Sequence, residues 1–129
     1  KRDYAKAYYN MGIALNDKGD MDAAIESYKQ ALKIKTDYED AYNNMGIALK
    51  DKGDLDAAIE SYKQALKIKP DYADAYNNMG IALNHKGDLD AAIESYKQAL
   101  KIKPDYAEAY NNMGNALKDK GDVDAAIDS

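Results

Sequence analysis

Four asparagines, Asn10, Asn44, Asn78 and Asn112, stand at intervals of 34 residues. An asparagine amide carries both a donor and an acceptor, so it can pair with a peptide backbone whatever that peptide's sequence. A regular row of such amides could hold an extended peptide; equally, each could bond a neighbouring helix. Asn43, Asn77 and Asn111 sit beside three members of the row, and Ile13, Ile47 and Ile81 follow it by three residues. Catalytic chemistry has little to work with. His85 is the single histidine, so no histidine-containing site recurs, and it sits at a variable helix-end position. Ser27, Ser61, Ser95 and Ser129 recur on the polar side of a helix, next to no candidate base. The Asp and Glu clusters lack the alternating ligand spacing of a calcium loop, and Gly-Asp recurs without a phosphate-loop context. With no cysteine, a thiol nucleophile, a thiolate metal site and a disulfide framework are all excluded. We expect no enzyme, no cofactor and no metal.

The elements that position these residues come from one repeated unit. Residues 39–72 recur at 73–106 with three changes, and residues 5–38 match them at 28 of 34 positions. Residues 107–129 begin a fourth copy, and residues 1–4 correspond to the tail of a preceding one. We read the chain as a single array, 1–129, cut from a longer one at both ends. Each copy holds two helical patterns. In the first, Tyr42, Met45, Gly46 and Leu49 share a face by i, i+3, i+4, i+7 spacing. In the second, Leu55, Ala58, Ile59, Tyr62, Ala65 and Leu66 form a stripe. Asp71 precedes the first helix of its unit as an N-cap, with Asp3, Asp37 and Asp105 in the same place. Lys-Gly-Asp separates the two helices of each copy, glycine supplying the left-handed stop. Pro70 and Pro104 close second helices, where Thr36 and Arg2 stand in the other copies.

These residues resemble the tetratricopeptide repeat over essentially the whole chain. The family's 34-residue pattern of aromatic, Leu-Gly, Ala, aromatic, Ala and Pro appears as Tyr42, Met45-Gly46, Leu49, Ala58, Tyr62, Ala65 and Pro70. Met replaces the usual Leu, Tyr replaces Trp, and two prolines are missing. The resemblance implies an all-α fold: an α-solenoid, a right-handed superhelix of antiparallel helix pairs whose first helices line a concave groove. It also implies a protein–protein interaction scaffold. The Asn row is similar to the asparagine ladder in the repeat superhelix of O-linked N-acetylglucosamine transferases.

Eleven of the twelve tyrosines recur at fixed places. Those at 8, 42, 76 and 110 and those at 28, 62 and 96 lie on apolar stripes and read as core. Copy-to-copy differences fall elsewhere on the first helix: Lys6/Asp40/Asp74, Tyr9/Asn43/Asn77, Asn16/Lys50/Asn84, Asp17/Asp51/His85, and Asn115 in place of Ile. These positions span an arc of about 100°, centred away from the packing stripe. Drift on a solvated face and a ligand groove both explain them; the resemblance favours the groove. Ile13, Ile47 and Ile81 among polar neighbours are either half-buried between first helices or an apolar strip for a partner.

Chaperone-binding members of the family grip a terminal carboxylate with Lys and Arg. The matching positions here hold Asn43, Asn77, Asn111, Asp40, Asp74 and Glu108. The expected ligand is therefore a neutral, basic or mixed peptide, not an acidic C-terminal tail. The net charge of −5 disfavours nucleic acid, and no apolar run is long enough to enter a membrane. The absence of cysteine suits a cytoplasmic chain. Two alternatives stand beside a peptide-binding scaffold: self-association through complementary repeat ends, and a substrate-recruiting region of a larger enzyme such as a glycosyltransferase. The near-identity of the copies also fits a consensus-like engineered array.

Overall fold

The computed structural model describes residues 2–128, so Lys1 and Ser129, with their part in the repeat pattern, lie outside the described residues. Every regular element among these is an α-helix, in the order α1 (Arg2–Asp17), α2 (Met21–Ile34), α3 (Glu39–Lys52), α4 (Leu55–Ile68), α5 (Ala73–Lys86), α6 (Leu89–Ile102) and α7 (Ala107–Asp128). The chain forms two compact units, Lys1–Pro70 and Asp71–Ser129. In the first, α1 packs on α2, α2 on α3, and α3 on α4; in the second, α5 packs on α6 and α6 on α7. Consecutive packing of this kind is that of an all-α solenoid.

In three copies the glycine of the Lys-Gly-Asp turn takes the left-handed conformation expected of it, while the aspartate's side chain caps the next helix at Asp20 and Asp88 and not at Asp54. Gly53 caps α3 at φ 96°, and its amide donates to the carbonyls of Leu49 and Lys50. Asp20 and Asp88 then accept a hydrogen bond from the amide three residues on, at 3.3 and 3.4 Å. The start of the first helices departs from expectation. Tyr38 and Tyr72, not Asp37 and Asp71, are the N-cap residues of α3 and α5, and their side chains make no capping bond. The Tyr38 carbonyl opens the ladder by accepting from Tyr42 N. The helix dipole is met instead by Glu39, Asp40 and Asp74 in the first turns. Position 3 lies inside α1 rather than at a cap.

Proline is not what stops the second helices. α2, followed by Thr36, ends at Ile34, the same repeat position as Ile68 and Ile102. In each, the next lysine is non-helical and its amide still donates to the carbonyl four residues back. The lysine then lies over the junction tyrosine: Lys35 Nζ is 4.7 Å from the Tyr38 ring centre, and Lys103 Nζ 4.5 Å from that of Tyr106. This cation–π contact occurs both in the turn with Thr36 and in the turn with Pro104, so it does not depend on the proline.

The helix pairs are locked by glycine against tyrosine. Tyr28, Tyr62 and Tyr96 are buried. A Cβ placed on Gly12, Gly46 or Gly80 would lie 2.5 Å from the paired ring. The ring therefore occupies the space that a side chain on the first helix would need. Alanines at 24, 48, 58, 82 and 92 are also fully buried, so backbones approach closely. Serine contributes where the sequence suggested a polar face. Ser27 and Ser61 are buried and donate to the carbonyls of Tyr8 and Tyr42 at 2.7 Å, tying second helix to first. Serine is small enough to sit inside the interface while its hydroxyl finds a backbone acceptor.

The fourth copy differs. α7 runs unbroken through Lys120-Gly121-Asp122, where the other copies turn. Nothing lies within 4 Å of a Cβ built on Gly114, whereas the equivalent glycines 12, 46 and 80 each face a tyrosine ring. Tyr110, expected in the core, is 52% exposed.

Candidate site on the first-helix face

Within the first unit, α1 and α3 lie side by side and bring equivalent positions together. Ile13, Asn16, Asp17, Asn44 and Ile47 line a hollow of about 180 Å³. Both isoleucines are half-buried. Their stripe is set by helical spacing: residue 13 is three positions after Asn10, as residue 47 is after Asn44. Packing also claims part of Ile13, which rests with Tyr9 and Leu15 against the buried cluster of Ala24, Ile25, Tyr28 and Ala48.

The polar groups of the hollow have defined partners. Asn44 Nδ2 donates to Tyr9 Oη at 3.0 Å, and Asn43 Nδ2 points to Asn44 Oδ1 at 3.5 Å. Tyr9 stacks at a tilt on Tyr38, with ring centres 5.0 Å apart, and approaches Tyr28 at 6.1 Å. Burial pushes the Tyr9 phenol above its ordinary range, the charge of Asp40 adds to this, and the bond to Asn44 partly opposes it. Asn16 Nδ2 faces Asp51 Oδ2 at 3.5 Å, while Asn16 Oδ1 is buried without a partner. Lys50 Nζ stands 3.6 Å from Asp51 Oδ1.

In the second unit, Asn112 Nδ2 donates to Asn77 Oδ1 at 3.1 Å, crossing from α7 to α5. The Tyr106 hydroxyl donates to Asp74 Oδ1 at 2.7 Å. Burial first, and then this carboxylate, hold the Tyr106 phenol well above its ordinary range. Asn78 and Ile81 are half-buried, and His85 and Asn111 are exposed.

Asn44, Ile13 and Ile47 therefore share one hollow, while Asn10 is exposed and is not part of its lining. Asn43 and Asn77 are buried at 5% and 0% exposure, so they support the face from beneath rather than project from it. The sequence did not reveal the role of Tyr9. Its one signal was being the twelfth tyrosine, outside the recurring positions, where the next two copies have Asn43 and Asn77. Asparagine fills that buried place in α3 and α5; in α1 a ring fills it and reaches Asn44.

Two other hollows occur in the first unit. One, of about 350 Å³, lies on another face of α3 and includes Tyr42, Met45, Leu49, Ala57 and Gln64. The other, of about 260 Å³, is apolar and is lined by Tyr4, Ala7, Tyr8 and Met11. Among the described residues, no group of three or more His, Asp or Glu is placed to hold a metal ion. No described helix is long and apolar enough to cross a membrane.

With helix pairs, glycine–tyrosine locks and a first-helix face in view, the class is that of an all-α helical repeat protein. The family model for the TPR repeat matches residues 14–53, 48–85 and 82–121, and the chain belongs to that family. No curated protein matches the chain. Among solved structures, MamA is 32% identical with a TM-score of 0.85, over 96% of this chain and 72% of that one. The first TPR of Spaghetti (RPAP3), bound to the HSP90 peptide SRMEEVD, is 20% identical with a TM-score of 0.90, covering 94% of this chain and 96% of that one. The second TPR domain of human RPAP3, in complex with the HSP70 peptide SGPTIEEVD, is 19% identical with a TM-score of 0.85, covering 88% and 95%.

The last two overturn the expected exclusion of an acidic C-terminal tail, because proteins of this fold hold peptides ending in Glu-Glu-Val-Asp. The physical fault in that expectation is visible here. Two of the six positions it compared, Asn43 and Asn77, are buried and present nothing to a ligand, whereas Asp74, Glu108 and Asn111 are exposed.

Proposed function

We propose that this chain is a non-catalytic interaction module that binds an extended peptide or a partner protein along the first-helix face of α1 and α3. The observation that carries the reading is the hollow between Ile13 and Ile47, with Asn44 held in place by Tyr9. Apolar walls around a fixed amide suit a peptide, whose side chains can bury while its backbone finds polar partners. Asn10 is a further candidate contact in the first unit, and Asn78, Ile81, His85, Asn111 and Asn112 are candidates in the second by their equivalent repeat positions; Asn43 and Asn77 act from beneath. The peptide complexes of related folds support this class of ligand, and acidic tails are among the candidates.

The test is affinity selection from a peptide display library, followed by titration of a selected peptide. Asn44→Ala with Ile47→Asp abolishes binding while helical content stays intact. Unchanged affinity in that variant rejects the groove, and unchanged affinity in Asn44→Ala with Asn78→Ala rejects the asparagine row.

A second reading, self-association, is favoured by one feature. α7 exposes Tyr110, Leu117, Val123 and Ile127, four large apolar side chains on a single helix. Light scattering that rises with protein concentration supports it, and a constant monomer mass rejects it.

A further inference from the structure

We propose that the hollow between α1 and α3 receives a lysine or arginine side chain of the bound peptide; this rests on the groove reading above. Three features of the hollow converge on a cation with an alkyl stem. The walls are Ile13 and Ile47, both half-buried, and they suit the methylenes of a long basic side chain. The polar end offers acceptors. Asn16 Oδ1 is buried and has no partner, and Asp17 lines the hollow with an exposed carboxylate. A second carboxylate, Asp51, lies 3.5 Å from Asn16 Nδ2. That carboxylate fixes the amide of Asn16, because its NH₂ group must face the anion, which leaves Oδ1 as an acceptor.

Donors are scarce at the same place. The Asn44 amide NH₂ is engaged by Tyr9 Oη at 3.0 Å. Lys50 Nζ, 3.6 Å from Asp51, is the counter-charge, and it offsets one of the two carboxylates. A ligand carboxylate entering here would meet acceptors, whereas an ammonium or guanidinium supplies the missing donor to Asn16 Oδ1 and neutralises Asp17. The arrangement is particular to the first unit. Asn16-Asp17 becomes Lys50-Asp51, Asn84-His85 and Lys118-Asp119 in the later copies. The inference concerns the one side chain that enters the hollow; residues on either side of it in the ligand can carry either sign.

The experiment pans randomised heptapeptides displayed on phage against the 129-residue chain and titrates the selected peptides. Selected peptides share a lysine or arginine at one fixed position. Replacing it by norleucine, which keeps the stem and removes the charge, weakens binding by about fivefold or more. Asp17→Asn and Asp51→Asn weaken the cationic peptide by a similar factor and leave the norleucine peptide unchanged. Selected peptides with no fixed cation, or with one that is indifferent to Asp17→Asn and Asp51→Asn, overturn the proposal. If those peptides are nonetheless lost in Ile47→Asp, the groove reading stands without it. A library from which nothing binds overturns both.

Discussion

At the scale of single residues, the fold depends on a ring taking the place of a missing methyl group. Gly46 and Gly114 occupy the same repeat position, yet their surroundings are opposite. A Cβ on Gly46 would sit 2.5 Å from the Tyr62 ring, and on Gly114 it would meet nothing within 4 Å. Gly46→Ala should therefore cost about 1–3 kcal/mol through overpacking. Gly114→Ala should add up to about 1 kcal/mol through helix propensity alone. Urea unfolding of the two variants checks both, and equal signs would contradict the lock. The buried tyrosines also predict the response to alkali. Burial raises the Tyr28 and Tyr96 phenols from 10.0 to about 12, and burial raises Tyr62 as well. A phenol with a higher pKa in the folded state holds its proton more tightly there, so its stabilisation is complete below pH 10. It is lost as pH rises from about 10 to about 12. Unfolding and phenolate absorbance should rise together in that window. Phenolate absorbance that completes near pH 10 with the helices intact would show these rings to be exposed. That Gly46 and Tyr62 lie on apolar faces was legible in the sequence because both recur, but that the ring seats against the glycine was not. The burial of Ser27 and Ser61 was not, because hydropathy marks serine as a surface residue and the acceptor it uses is a backbone carbonyl.

At the scale of elements, the same three residues make a turn in one copy and a stretch of helix in another. Lys52-Gly53-Asp54 turns with Gly53 at φ 96°, whereas Lys120-Gly121-Asp122 stays helical within α7. Gly53→Ala forces an L side chain into the left-handed region and should cost roughly 1–2 kcal/mol. Gly121→Ala replaces a helical glycine and should stabilise α7 by up to about 1 kcal/mol, with a rise in helical circular dichroism. A loss of stability in Gly121→Ala would mean that the fourth copy turns like the others. Helix number and placement in the first three copies follow from periodicity and glycine. The straight course of α7 does not, since Lys120-Gly121-Asp122 reads in the sequence as the same turn that Lys52-Gly53-Asp54 makes. The caps were displaced by one residue. Tyr38 and Tyr72 are held at the junction, and an aspartate one place earlier stands outside the helix.

At the scale of the molecule, a chain in which Leu, Ile, Val and Phe supply only 20 of 129 residues builds its interior from other material. Three tyrosines are buried almost completely, and alanines fill the closest approaches. Contacts between neighbouring helices replace one central core, which is how repeat proteins gain stability. The repeat pattern made the family and the all-α class legible from sequence. The face that meets a ligand was legible only in part. Variable positions located the surface, but burial removed Asn43 and Asn77 from it and added the support of Tyr9. The central claim is that the α1–α3 face carries the binding activity. It is tested most directly by methyl and side-chain amide NMR of the chain titrated with a library-selected peptide. Shifts should concentrate on Ile13, Asn44 and Ile47. Shifts confined to Met45, Leu49 and Gln64, which line the hollow on the other face of α3, would contradict it.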